Sequence, residues 1–232
     1  MTKPAETLFS VEDSPAPKRS AETHSTDRLR RYVLSGRVPP GGRLKEIPLA
    51  EELGVSRSTL RTSLMKLAQE GIVVQIPYTG WQVMALTPDD VWELWTLRAG
   101  LESLASKLVA ERMTRDVERQ VEGAFDALAL ACRSGDVGRV NDADFALHRT
   151  IIDALGNGRL SGQYRQVEQQ VRFYLTWSNA LVGSDLHAIV AQHEPMVEAL
   201  LSRDPVRAAA EAYRHNESEG GKLAAAIRRS RP

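Results

Sequence analysis

The run Leu49-Ala50-Glu51-Glu52-Leu53-Gly54-Val55-Ser56-Arg57-Ser58-Thr59-Leu60-Arg61 is compatible with few folds. It reads as a short helix, a turn on Gly54, and a second helix opened by Ser56, whose hydroxyl supplies the acceptor that a helix start needs. Arg57 and Arg61 stand four residues apart, so both guanidinium groups lie on one face of the second helix. This is the layout of a helix-turn-helix whose second helix enters a DNA major groove. Leu60, Leu64 and Leu67 form the buried stripe of that helix, which runs from about Ser56 to Glu70 before Gly71 closes it.

The flanks extend the pattern. Ile72-Val73-Val74-Gln75-Ile76 is β-branched and strand-like, Trp81-Gln82-Val83-Met84 is its partner, and Pro77-Tyr78-Thr79-Gly80 turns between them. A helix-turn-helix followed by a hairpin is a winged helix, and a wing with Thr79 and Gly80 at its tip approaches a phosphate backbone or a minor groove closely. Upstream, Leu29, Tyr32 and Val33 recur at helical spacing from Thr26, Gly36 ends that helix, Pro39-Pro40-Gly41-Gly42 turns, and Pro48 suits the first turn of the next helix. Met1–Ser25, with Pro4, Pro15 and Pro17 and little apolar content, reads as a disordered tail in which His24 is solvated. Formal net charge is zero, yet residues 26–86 hold nine Lys/Arg against five Asp/Glu, while 87–232 hold 18 against 21. The basic excess therefore sits with the DNA reader.

Beyond Thr87-Pro88, an N-cap and a first helical residue, almost no strand signal remains. Six helices are expected at about 88–112, 115–134, 136–155, 158–181, 186–202 and 205–229, broken at Ser134-Gly135, Gly156-Asn157-Gly158, Gly183-Ser184 and Asp204-Pro205. Leu94, Leu97, Leu101, Leu104 and Leu108 mark the apolar stripe of the first. The expectation is a mainly α chain: a tail over 1–25, an N-terminal winged helix-turn-helix with a small β-hairpin over 26–87, and an all-α antiparallel bundle over 88–232. Cys132 is the only cysteine, so no internal disulfide forms, and no run approaches a membrane span or a signal peptide. A cytoplasmic protein is expected.

The bundle also carries chemistry. Asp144 and His148, spaced i, i+4, can offer a carboxylate oxygen and an imidazole nitrogen to one point, or form a local helix pair. His193 and His215 fall in apolar stretches of the last two helices, where an inward imidazole is costly unless satisfied. One Asp and three His suit a divalent transition metal, zinc or nickel, with positions open to water or a ligand. His187, near a helix start, reads as a surface residue. Arg98 and Glu102 form a second i, i+4 pair, either a carboxylate clamp facing a cavity or an exposed salt bridge. Arg172, beside Phe173, Tyr174 and Trp177, is a further candidate for an anionic ligand.

The run Leu49–Arg61, with Leu64, Leu67, Gly71 and Gly80, resembles the GntR family of bacterial transcription regulators. The remainder resembles its FadR-like subfamily with the FCD ligand-binding domain: Arg98 and Glu102 match an R-x-x-x-E, Asp144 to His148 a D-x-x-x-H, Gly156-Asn157 a GN turn, and His193, Ala199-Leu200, Asp204, Ala208 and His215 the closing pattern. The resemblance implies a homodimer on a pseudo-palindromic, double-stranded operator. It places DNA contacts at Ser56, Arg57, Ser58, Thr59, Arg61, Thr79 and Gly80, metal ligands at Asp144, His148, His193 and His215, and a small carboxylate effector near the metal that tunes DNA affinity, with repression the expected output. The long first bundle helix, joined to the wing through Leu86-Thr87-Pro88, is an expected lever. Two rivals stay open at this point: a helical metallohydrolase activating water on the Asp/His set, and a bundle that only dimerises.

Overall fold

The computed structural model describes residues 21–85, 87–182 and 185–230. The expected tail over 1–20, the side chain of Trp177, the Gly183-Ser184 break, Leu86 and the His187 side chain lie outside the described residues. Twelve elements follow in order among the described residues: α1 (Ala21–Leu34), β1 (Arg43–Leu44), α2 (Glu46–Leu53), α3 (Arg57–Gln69), β2 (Val73–Ile76), β3 (Gly80–Val83), α4 (Pro88–Glu111), α5 (Arg115–Ser134), α6 (Val137–Asp153), α7 (Gly158–Val182), α8 (Leu186–Leu201) and α9 (Pro205–Ser230).

The amino-terminal part is a winged helix-turn-helix. Gly54, at φ 60°, turns α2 into α3, and Ser56 Oγ caps α3 by accepting from Thr59 N at 3.1 Å. Leu60, Leu64 and Leu67 are wholly buried against Leu29 and Val33 of α1. The sheet has three antiparallel strands in the order β1-β3-β2. The strand β1 was not legible beforehand: two residues carry no periodicity, and Arg43–Leu44 is extended only because it pairs with Gln82 and Trp81. The tail expectation is also corrected at its end, because residues 21–25 open α1 and Ser25 is buried. Its hydroxyl accepts from Ser63 Oγ at 3.2 Å, and Ser63 in turn accepts from Thr26 Oγ1 at 3.1 Å. Polar residues that satisfy one another pack inside, which composition alone does not reveal.

The six carboxy-terminal helices start on side-chain caps wherever the chain supplies one. Thr87 and Asp90 form a capping box around Pro88, Thr114 and Asp136 cap α5 and α6, and Asp204 Oδ1 accepts from Val206 N and Arg207 N at the start of α9. Their apolar faces meet in one core built on Val109, Val121, Leu128, Leu147, Ile152, Met196 and Leu200. The expected leucine stripe of α4 is corrected. Leu97 and Leu104 are about half exposed, and the inward face of α4 carries Val91, Leu94, Arg98, Ala99, Glu102, Ala105, Ser106 and Val109. Small residues there let α9 approach closely, so the polar pair takes the place that leucines were expected to fill.

Candidate functional site

On the amino-terminal side, Arg57, Arg61, Ser58 and Ser56 are exposed along the first turns of α3, and Thr59 is half-buried. The hydroxyls of Ser56, Ser58 and Thr59 form a cluster with oxygen separations of 2.8 and 2.9 Å. Arg61 Nε donates to Glu46 Oε1 at 3.1 Å while its side chain stays 61% exposed. In the wing, Thr79 is exposed, Gly80 takes φ 102°, and Tyr78 at the tip stands fully exposed at φ 61°. A tyrosine in that left-handed region is strained. The side chains expected to face DNA, Thr59 excepted, are thus exposed on α3 and at the wing tip.

The second constellation lies inside the bundle. Asp144 and His148 come from α6, His193 from α8, His215 from α9, and Arg98 and Glu102 from α4. All three histidines are buried, and one ligand atom from each lies within 4.8 Å of the others. His148 Nε2 and His193 Nε2 are 3.1 Å apart, and His193 Nε2 is 2.9 Å from Asp144 Oδ1. His215 lies tilted beside them, its ring centroid 4.2 Å from that of His193 and 5.0 Å from that of His148.

The protons of these rings are assigned by their other partners. His193 Nδ1 lies 2.8 Å from the Ile189 carbonyl, which can only accept. His148 Nδ1 lies 3.0 Å from Glu102 Oε2, a charge contact bent away from hydrogen-bond linearity. With each Nδ1 turned to those partners, the two rings point Nε2 toward each other, with a carboxylate oxygen alongside. Two imidazole nitrogens and a carboxylate oxygen converging on one point are a donor set that suits a divalent transition metal. The spacing agrees: donors bound at right angles at roughly 2.1 Å from one cation sit about 3.0 Å apart. The Asp144 carboxylate favours positive charge at this point. Burial pushes the His193 pKa down, but Asp144 and the Ile189 carbonyl outweigh it and leave it raised. Burial and the neighbouring His193 and His148 hold His215 well below its ordinary value. Burial opposes the Asp144 charge, yet His193 and His148 keep its carboxyl below the usual range.

Glu102 has a different place from the one expected for it. It faces no cavity. Oε1 accepts from Arg98 Nε at 2.7 Å and from Tyr164 OH at 2.8 Å, and Oε2 accepts from Asn216 Nδ2 at 2.7 Å beside His148. It is the hub that orients His148 and anchors Arg98, and Arg98 and His148 hold its carboxyl well below the usual range against the pull of burial. Arg98 is buried with Nη2 unpartnered among the described residues. It lines a cavity of about 50 Å³ that Asp144, His215 and Asn216 also reach. Arg172 is not among the described lining residues. Its Nε donates to Glu168 at 2.9 Å, its Nη1 to Asp142 at 2.7 Å, and its guanidinium lies 4.2 Å from the Phe145 ring centre. Sequence reasoning missed Tyr164 and Asn216. Asn216 left a usable signal: an amide next to His215 and four residues after Ala212, on a stripe otherwise apolar.

The comparisons with known proteins fit this arrangement. Residues 93–218 match the FCD domain, and residues 23–83 match the bacterial regulatory proteins of the gntR family. The chain belongs to the GntR family. Among curated relatives, the regulator is 27% identical to the probable D-xylose utilization operon transcriptional repressor of Paenarthrobacter nicotinovorans, over 81% of this chain and 84% of that one. It is 30% identical to an uncharacterised HTH-type transcriptional regulator of Mycobacterium tuberculosis, over 86% and 88%. Among solved structures, E. coli McbR/YncC superposes with a TM-score of 0.73 at 19% identity, covering 88% of this chain and 97% of that one. This GntR protein is thus a transcriptional regulator of a family that binds DNA operators, and the hydrolase reading falls with that finding. No described helix is long and apolar enough to cross a membrane.

Proposed function

We propose that this regulator is an effector-controlled repressor. A homodimer reads a pseudo-palindromic operator through Arg57 and Arg61 at base edges and phosphates, with Ser56, Ser58, Thr59, Thr79 and Gly80 contacting the backbone. Asp144, His148, His193 and His215 hold a divalent transition metal, zinc or nickel, and the bound ion supplies positive charge and open positions for a small carboxylate. Arg98 Nη2 neutralises the second carboxylate oxygen, and Glu102 keeps both Arg98 and His148 in place. The observation that carries the centre is the pair of inward Nε2 atoms at 3.1 Å with Asp144 alongside. The repressor output follows the relatives, which include gluconate operon repressors of two Bacillus species.

An effector alters DNA binding only through different affinities for two arrangements of the protein. The helix α7 joins the two ends. Val171 and Leu175 wall the cavity, and the adjoining Gln170 donates from Nε2 to the Glu70 carbonyl at the end of α3, 2.9 Å away. A coupling of roughly 1–3 kcal/mol through this helix gives about 5–150-fold regulation. Two measurements test the reading. Arg57→Ala is expected to weaken binding to a selected operator at least about tenfold, the worth of one good base contact. His193→Ala is expected to lower metal per subunit in elemental analysis. Unchanged operator affinity sinks the first half, and unchanged metal occupancy sinks the second.

A further inference from the structure

The outer face of α4 carries a seam that the core does not use. Glu93, Leu97, Gly100, Leu104 and Lys107 follow one another in alternating steps of four and three residues, which sets them in one line along the helix. The line runs opposite the buried side that holds Val91, Arg98 and Val109. Leu97 is 53% exposed, Leu104 is 48% exposed, and Trp92, flanking the seam, is 60% exposed. Glu93, Gly100 and Lys107 are exposed as well. Large apolar side chains grouped on one face in this way mark an interaction surface. Gly100 is the midpoint of the seam. A glycine inside a helix weakens it relative to alanine. Nothing among the described residues requires one here, since an added Cβ would meet no atom within 4 Å.

We propose that a second copy of this chain covers the seam: α4 packs antiparallel on α4 of the partner subunit, with the two-fold axis at Gly100. The pairing rests on the reading of a homodimer and gives that dimer its surface. The seam has the same pattern in both directions: charge, leucine, glycine, leucine, charge. Only the signs of its ends differ, with Glu93 seven residues before Gly100 and Lys107 seven after it. Seven residues span about 10 Å of helix. An antiparallel pair therefore sets each Glu93 beside the partner's Lys107, twice over by symmetry. Leu97 and Leu104 interleave with their counterparts on either side of Gly100, where the missing side chains let the two backbones approach. A parallel pair would instead set like charges together at both ends, which is costly. Within its own chain Lys107 reaches only Glu111, at 4.0 Å, and an ammonium has three protons to donate. Asp89 and Glu111 lie about 16 Å from Gly100, where crossing helices have diverged.

The test is sedimentation equilibrium of the full chain and of three variants: Glu93→Lys, Lys107→Glu and the double exchange. The unmodified protein is expected to be dimeric. Each single exchange brings like charges together on both sides of the axis and is expected to weaken dimerisation about tenfold or more. The double exchange re-forms the pair with its signs reversed and is expected to return the dissociation constant to within about threefold of the unmodified value. A chain that had merely misfolded would not recover. A dimer indifferent to all three exchanges, or single losses that the double exchange does not recover, overturns the pairing and leaves the homodimer standing on another surface. An unmodified chain that stays monomeric overturns the homodimer as well, and leaves the seam to a different partner.

Discussion

Replacing Gly71 by alanine separates a backbone cost from a contact between the DNA-reading end and the bundle. Gly71 follows α3 at φ 71°, a conformation that costs an L-residue about 1–2 kcal/mol. Gly54, at φ 60° with no atom within 4 Å of an added Cβ, carries only that backbone cost and serves as the control. At Gly71 the new Cβ would lie 2.0 Å from Gln170 Nε2. That atom is the end of a flexible side chain, so it swings away, and the hydrogen bond to the Glu70 carbonyl is lost. A part-buried bond of this kind contributes about 0.5–1.5 kcal/mol. Gly71→Ala is therefore expected to cost about 1.5–3.5 kcal/mol against about 1–2 kcal/mol for Gly54→Ala. For a chain of this size the excess lowers Tm by roughly 2–4 °C beyond the control. Urea denaturation of both variants, repeated in a Gln170→Ala background, checks the partition. In that background Gly71→Ala is expected to cost no more than the control, because the bond is already gone. Equal costs for the two glycines in the unmodified protein, or strict additivity in the double variant, refute the claim that Gln170 ties α7 to α3.

Two further outcomes follow from the same geometry. Glu102→Gln leaves the buried Arg98 guanidinium without its countercharge and is expected to destabilise by about 3–5 kcal/mol, and to lower metal affinity about 10–100-fold through the loosened His148, measured by denaturation and by competitive metal titration. Glu46→Ala removes the carboxylate that engages Arg61 Nε and stands near incoming phosphates, so operator affinity in an anisotropy titration is expected to rise, with little change in Tm because the exposed pair contributes about 0–1 kcal/mol.

Most of the architecture was readable because it is written locally. Caps at Thr87, Thr114, Asp136 and Asp204 and turn glycines at Gly54 and Gly135 punctuate the chain, and the ends of α3 to α9 fell within two residues of the expected ones, whereas α1 begins five residues before the expected Thr26. What was not readable depends on partners. The leucine periodicity of α4 named the wrong face, since Arg98 and Glu102 gain a mutual ion pair, Tyr164 and Asn216 inside and so displace Leu97 and Leu104 outward. The i, i+4 spacing of Arg98 and Glu102 was visible, but it could not tell an effector contact from a support for His148. Arg172 looked like a binding residue beside aromatics, and only Asp142, Glu168 and the Phe145 face reveal where its charge goes.

The leucines of the reading helix share one continuous apolar core with Phe145 of α6 and with Val167, Val171, Phe173 and Tyr174 of α7. The head is thus no bead on a tether. Severed after the wing, it would bare an oily flank to water, and transplanted onto a foreign bundle it would lack part of its own interior. Chimaeric sensors built from this chain should keep the α6–α7 flank with the head and exchange only what lies beyond it.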